Sequence, residues 1–170
     1  EAGHERVAYF HMQKTTAAEE HYSVLERRAG YLAAMKKARL RPRFVEREDG
    51  LKPPEAAELF REALRGKAEE RPTAAITYDL NQANLVHHLA VAEGLRVPED
   101  LSIVIFGSWF PVHTLGLKCT TVVVPEQQVA DVATRMLLER VDHPRRTQPA
   151  RSIPMELCEG ASVRPRRGGK

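Results

Sequence analysis

The chain has 170 residues, of which 42% are hydrophobic and 29% are charged, and its formal net charge is +3. This length and composition suit one folded domain with a substantial core and exclude a disordered chain. No apolar run approaches the roughly 20 residues that a membrane-spanning helix needs, and the N-terminus lacks the layout of a signal peptide. The sequence therefore predicts a cytoplasmic protein with no membrane segment.

The sequence lacks the motifs of common catalytic and metal sites. It contains no nucleophile elbow of the form G-x-S-x-G, no phosphate-binding glycine loop and no H-E-x-x-H zinc motif. Cys119 and Cys158 are far apart and lack metal-ligand spacing, so they are predicted to be buried free thiols. We expect no enzyme activity, no cofactor and no metal.

The first part of the chain predicts alternating strands and helices. Residues 7–12 form an apolar run, and the polar residues 13–20 follow it as a loop. A helix is then predicted to about Arg39, with several apolar residues on one face. These residues are Tyr22, Leu25, Ala29, Leu32 and Ala33. Residues 43–46 form a weak second strand, and a helix with two prolines in its first turn follows.

The clearest unit is a β-α-β segment over residues 71–108. Its two apolar runs lack the polar alternation of a half-exposed strand, which favours interior strands of a parallel sheet. Asp79 and Gln82 have the spacing of a capping box, so a helix should begin at about residue 80. Gly94 suits a left-handed helix end. The repeated alternation predicts an α/β fold with right-handed crossovers.

The last third of the chain predicts a strand, a helix and a final strand. Residues 119–125 are rich in threonine and valine, and the apolar residues of the following helix match one helical face completely. These residues are Val129, Val132, Ala133, Met136 and Leu137. Residues 143–151 form a polar linker, and 153–158 form the last predicted strand. The basic tail over residues 164–170 is predicted to be flexible.

Several of these segments, in this order, resemble the LacI/GalR family of transcription regulators and the related periplasmic sugar-binding proteins. The segments are Gly3-His4-Glu5-Arg6, Ser23 to Tyr31 with Arg27 inside it, Pro72-Thr73-Ala74, Gly94-Leu95, Val97 to Val104 and Cys119 to Pro125. The resemblance implies a three-layer α/β/α lobe with a mostly parallel sheet, of the type I periplasmic-binding-protein-like kind. It corresponds to the second lobe of an effector-sensing domain.

The resemblance also implies a division of the chain. Residues 1–118 would form the second lobe, and residues 119–142 would supply a crossover strand and a helix that packs on a first lobe. Residues 143–163 would return a strand to the second lobe, and 164–170 would be the flexible tail. In this family an effector in the cleft between lobes changes how a homodimer presents its DNA-binding headpieces. The headpiece that contacts DNA would lie outside these 170 residues.

The effector site is expected at the carboxyl ends of the strands, where open α/β sheets bind ligands. The residues that the resemblance assigns to it are Gln13, Arg27, Tyr78, Asp79, Ser108 and Trp109. Arg27 would hydrogen-bond ligand hydroxyls or a carboxylate with its planar fork. Taken without the resemblance, Arg27 is one of several charged residues on a helix and equally fits a solvent-facing position.

Two positions depart from the family pattern and bear on the ligand. Tyr78 stands where many relatives have a small or amide residue, and Gly107 stands where many have an aspartate that accepts sugar hydroxyls. A typical pentose or hexose is therefore in question. The expectations left open are an acidic effector held by Arg27, a larger or more apolar one stacked on Tyr78, and a lobe without a small ligand.

A homodimer interface is predicted at Leu85, Trp109 and Phe110, although the two aromatic residues equally fit an internal hydrophobic plug. The main alternative function is a soluble, monomeric solute-binding protein of a transport system, which shares the fold and carries an export signal. A second alternative is a sensor fused to another kind of DNA-binding module.

Overall fold

The fold was analysed in a computed structural model that describes residues 2–12, 21–47, 49–107 and 116–166. Strands and helices alternate along the chain up to β4, as the sequence predicts. The elements are β1 (Val7–Phe10), α1 (Tyr22–Ala38), β2 (Arg43–Val45), α2 (Pro53–Arg65), β3 (Ala74–Thr77), α3 (Leu80–Ala92), β4 (Ser102–Gly107), β5 (Thr120–Val123), α4 (Glu126–Asp142) and β6 (Glu156–Cys158).

The strands form one sheet in the order β2-β1-β3-β4-β5-β6. The first five strands are parallel to their neighbours, and β6 runs antiparallel to β5 at the edge. Parallel strands need crossover connections, which the helices between them supply. The predicted α/β fold with a mostly parallel sheet is therefore confirmed.

The main core lies between one face of the sheet and helices α2 and α3. Alternate strand residues such as Phe10, Ile103 and Ile105 point to this face and are fully buried. Phe60 of α2 meets Phe10 edge-on, with ring centroids 5.0 Å apart. Each such side chain contributes about 1.5 to 3 kcal/mol on burial, so this layer supplies most of the stability.

Helix α1 packs on the opposite face of the sheet. Val24, Tyr31 and Met35 are its buried residues, and the Tyr31 hydroxyl donates to Val7 O at 2.9 Å and accepts from Arg43 N at 2.8 Å. The apolar stripe noted in the sequence is on the outside, because Tyr22 is 72% exposed, and Leu25 and Leu32 are also exposed. The contacts of Tyr31 with β1 and β2 set this orientation.

Helix α3 begins and ends as predicted. The Asp79 side chain accepts a hydrogen bond from Gln82 N at 2.9 Å, which satisfies one of the free amides of the first turn. Gly94 has a φ of 76°, and Leu95 N donates to Ala90 O at 2.8 Å, which is the pattern of a glycine C-cap. The Asp79 cap fixes the turn at residues 78–79, which lies at the carboxyl end of β3.

The C-terminal elements extend the sheet but leave α4 uncovered. Strand β5 pairs with β4, and β6 returns to pair with β5, so both strands belong to the same sheet. None of the residues of α4, all of which the structure describes, is buried. Its apolar residues Leu137 and Val141 are 63% and 66% exposed. The helix therefore has an apolar face without a partner in the described part of the chain.

Two predictions for the C-terminal region need correction. Cys119 is buried, but Cys158 is exposed, because β6 is an edge strand that pairs with β5 alone. The start of the predicted flexible tail is held by hydrogen bonds from Arg164 N to Ser102 Oγ at 3.0 Å and from Arg166 N to Ala2 O at 2.7 Å. Residues 167–170 lie outside the described residues.

Candidate functional site

The candidate site lies where the carboxyl ends of the parallel strands share one edge of the sheet. His11 follows β1, Glu46 follows β2, and the Tyr78–Asp79 turn follows β3. The first turns of α1 approach the same edge, because Val24 faces the sheet. Arg27 and Arg28 lie three and four positions after Val24, so they flank the same face of the helix. The fold thus gathers polar and charged side chains around the ends of apolar strands.

Arg27 is held between two aromatic rings at this edge. Its Cζ atom lies 4.3 Å from the Tyr78 ring centroid and 4.5 Å from that of Phe106. Its Nη1 atom donates to Tyr78 O at 2.8 Å, and its buried Nε atom has no hydrogen-bond partner. Rings on either side of a guanidinium fix its plane and favour its charge. Arg27 is therefore an ordered side chain of the strand edge and not a residue of the solvent-facing side of α1.

Tyr78 connects α1 to the end of β3. Its hydroxyl lies 2.8 Å from Ser23 Oγ, and its ring meets the His11 imidazole edge-on, with centroids 5.4 Å apart. A small residue at this position would leave the Arg27 guanidinium without one of its two ring contacts. Tyr78 therefore shapes the site as well as lining it.

A second charged group lies beside the first. Arg28 Nη1 forms an ion pair with Glu46 Oε1, and the Arg28 guanidinium carbon lies 3.9 Å from the centroid of the Phe44 ring. The other carboxylate oxygen, Oε2, is buried and has no hydrogen-bond partner. The charge of Glu46 is thus balanced by Arg28.

His11 is a fully buried polar residue of this edge. It is 1% exposed, and neither ring nitrogen has a hydrogen-bond partner. Burial, followed by the charge of Arg28, lowers the pKa of His11 to about 4. Although its Nδ1 atom is 3.8 Å from Glu46 Oε2, His11 is therefore neutral at neutral pH and forms no ion pair.

The structure brings together some of the residues predicted for the effector site. Arg27 and Tyr78 are in direct contact. Asp79 lies beside them, but its carboxylate accepts from Gln82 N at 2.9 Å and faces Gln82 Nε2 at 3.4 Å, so it caps α3. A role for Asp79 in binding stays a prediction. The other predicted site residues, Gln13, Ser108 and Trp109, lie outside the described residues, as does Phe110 of the predicted dimer interface.

Sequence analysis missed four residues of this edge: His11, Arg28, Glu46 and Phe106. The signal for His11 and Glu46 was present, because each is a polar residue directly after an apolar strand.

Leu85 is the one residue of the predicted dimer interface that the structure describes. Its side chain is half-buried and packs against the main core. Its proposed contact with a second chain stays a prediction.

Within the described residues, no group of three or more His, Cys, Asp or Glu side chains is placed to hold a metal ion. Similarly, no helix among them is long and apolar enough to cross a membrane.

Comparison with known proteins defines the class to which this fold and site belong. Residues 1–163 match the model of the periplasmic binding protein-like domain. The chain belongs to this family, and its parallel sheet with the polar strand edge is the fold of that domain.

Individual relatives support the resemblance to LacI-type regulators. The arabinose metabolism transcriptional repressor of Geobacillus stearothermophilus is 34% identical over 85 residues, which are 50% of this chain and 23% of that protein. The structure of a LacI family transcriptional regulator from Bifidobacterium animalis aligns with a TM-score of 0.78 and 26% identity, covering 96% of this chain and 57% of the other.

A third comparison shows the same fold in a protein with a ligand. The LacI family transcriptional regulator from Enterococcus faecium, solved with bound ribose, aligns with a TM-score of 0.79 at 16% identity, covering 98% of this chain and 59% of the other. The chain thus spans somewhat more than half of each solved relative. The resemblance found in the sequence is confirmed, since these relatives are transcription regulators.

Proposed function

We propose that this chain is the second lobe of the effector-sensing domain of a LacI-type transcription regulator. A small polar effector binds at the carboxyl ends of the strands, in a cleft completed by a first lobe. Because binding favours one arrangement of the lobes, the free energy of ligand binding shifts the regulator between states of different DNA affinity. Such a regulator acts in the cytoplasm, where its DNA is.

The observation that supports this proposal most is the position of Arg27. It lies within the segment Ser23 to Tyr31 that resembles the family, and its guanidinium is fixed between Tyr78 and Phe106. Arginine has five N–H donors, and among the described residues Arg27 uses one of them, on Tyr78 O. Apart from the buried Nε, the other donors of the guanidinium are held at the strand edge, which reduces the ordering cost of binding a ligand there.

Removing this side chain tests the proposal. A thermal-shift screen of sugars and sugar acids would identify a ligand of the chain, and calorimetry would measure its affinity. Arg27→Ala should weaken that affinity at least tenfold, because a hydrogen bond to a charged group contributes about 1.5 to 3 kcal/mol. Lys37→Ala removes an exposed cation from the last turn of the same helix and should leave the affinity unchanged. Equal affinity in Arg27→Ala and the unsubstituted chain would contradict the proposed site.

A further inference from the structure

We propose that the effector of this site carries an acidic group, a carboxylate or a phosphate, and is not a neutral sugar. The inference rests on the proposed function and concerns the same site. It follows from which hydrogen-bond donors and acceptors at the strand edge already have partners among the residues that the structure describes.

Among the residues that the structure describes, the positive charge of Arg27 has no carboxylate partner. None of the described Asp and Glu side chains forms an ion pair with it. Arg28, the next residue, shows the contrast, since its charge is balanced by Glu46. The rings of Tyr78 and Phe106 favour the Arg27 charge without neutralising it. An anion that enters the site would therefore form an ion pair that no described carboxylate forms with Arg27.

The acceptors at this edge are already engaged or out of reach. The Asp79 carboxylate faces Gln82 and caps α3, and one Glu46 oxygen binds Arg28. The second Glu46 oxygen, Oε2, is buried against His11. At the end of β4, Gly107 has no side chain to accept a hydrogen bond. Of the charged side chains described at this edge, Arg27 is thus the one without an oppositely charged partner, and it is a hydrogen-bond donor.

A site whose free charged group is the Arg27 donor discriminates between neutral sugars and acidic ligands. Each hydroxyl of a neutral sugar brings a donor that needs an acceptor, and a donor buried without one is costly. A carboxylate or phosphate brings acceptors alone, and its two oxygens match the planar fork of arginine. The Arg27 plane is already fixed by its two ring contacts, which suits this geometry.

The test compares matched ligands by calorimetry on the chain at constant pH and ionic strength. Glucuronate and glucose 6-phosphate are the acidic probes, and glucose, arabinose and ribose are the neutral ones. At least one acidic probe should bind tenfold or more tightly than every neutral sugar. Arg27→Gln keeps a planar side chain with hydrogen-bond donors but removes the charge, so it should abolish the preference. Arg27→Lys should retain part of it.

The outcomes separate this inference from the proposed function. If a neutral sugar binds more tightly than both acidic probes and its binding depends on Arg27, the inference of an acidic effector is wrong and the proposed function stands. An acidic probe that binds equally well to Arg27→Gln would bind at a site that does not include Arg27, and this result would also overturn the inference. No binding of any probe, in a chain shown by circular dichroism to be folded, would count against both.

Discussion

At the scale of single residues, two glycines give a matched test of the fold. A Cβ atom on Gly160 would lie closer than 3.0 Å to backbone atoms of Lys118 and Cys119, whereas one on Gly30 would meet nothing within 4 Å. Gly160→Ala should therefore lower the free energy of unfolding by about 1 to 3 kcal/mol. Gly30→Ala, inside α1, should raise it by about 0.5 to 1 kcal/mol.

Urea denaturation measures both changes. Equal stabilities for the two variants would contradict the close approach of the Gly160 segment to the turn before β5. That approach holds β6 and the following segment against the sheet, with Gly160 N donating to Thr120 Oγ1 at 3.1 Å.

The buried His11 predicts how stability depends on pH. Its pKa is lowered to about 4 in the folded chain, against roughly 6.5 when unfolded. Between these values the unfolded state binds more protons, so the free energy of unfolding should be fully retained above pH 6.5 and fall as the pH drops towards 4. The His11 contribution to this loss is about 1 to 3 kcal/mol.

The variant His11→Phe isolates this effect. Both ring nitrogens lack hydrogen-bond partners, so phenylalanine loses no bond and cannot titrate. Its unfolding free energy should fall less between pH 6.5 and 4 than that of the unsubstituted chain. Parallel curves for the two proteins would show that His11 is not buried in its neutral form.

Residue-level predictions from the sequence succeeded where local spacing decides the structure. The Asp79 cap and the Gly94 helix end are set by hydrogen bonds within a few residues, so the sequence pattern was sufficient. The Arg27 position was indicated by resemblance, but its sandwich between Tyr78 and Phe106 joins three elements that are distant in the sequence. Such contacts depend on packing, which no local pattern specifies.

At the scale of elements, α1 and α4 show what helical periodicity leaves undetermined. Both have an apolar stripe, yet that of α1 is exposed, and the helix packs through Val24, Tyr31 and Met35 instead. Periodicity identifies a helix and its faces, but it does not state which face meets the sheet. For α4, the five predicted apolar positions from Val129 to Leu137 match the helical template, and none is buried.

The exposure of α4 predicts its response to substitution. Leu137→Ser replaces a side chain that is 63% exposed and should change the free energy of unfolding by no more than about 0.5 kcal/mol. Leu89→Ala, in the core face of α3, should cost about 2 to 5 kcal/mol. A similar loss for both variants in thermal or urea unfolding would mean that α4 is covered in the isolated chain.

At the scale of the whole molecule, the sequence predicted the order of elements and the parallel sheet because strands and helices alternate clearly. It did not predict the antiparallel pairing of β6 or the bonds that hold residues 164–166. These features depend on where distant segments return to the sheet edge, as with Arg164 N on Ser102 Oγ.

Dimer formation is a prediction at this scale. If the segment that contains Trp109 joins two chains, then Trp109→Glu should convert a dimer to a monomer, because a buried charge without a partner strongly destabilises an interface. Sedimentation-velocity ultracentrifugation at several concentrations measures the change. A dimer that persists in the variant would assign Trp109 to another role.

The central claim, that this lobe senses an effector for a transcription regulator, is tested most directly by sequencing the reading frame upstream of the codon for Glu1. We expect a helix-turn-helix headpiece followed by a first lobe of the same fold, which would pack on α4. An export signal followed by a first lobe would instead identify a solute-binding protein of a transport system and would contradict the regulator.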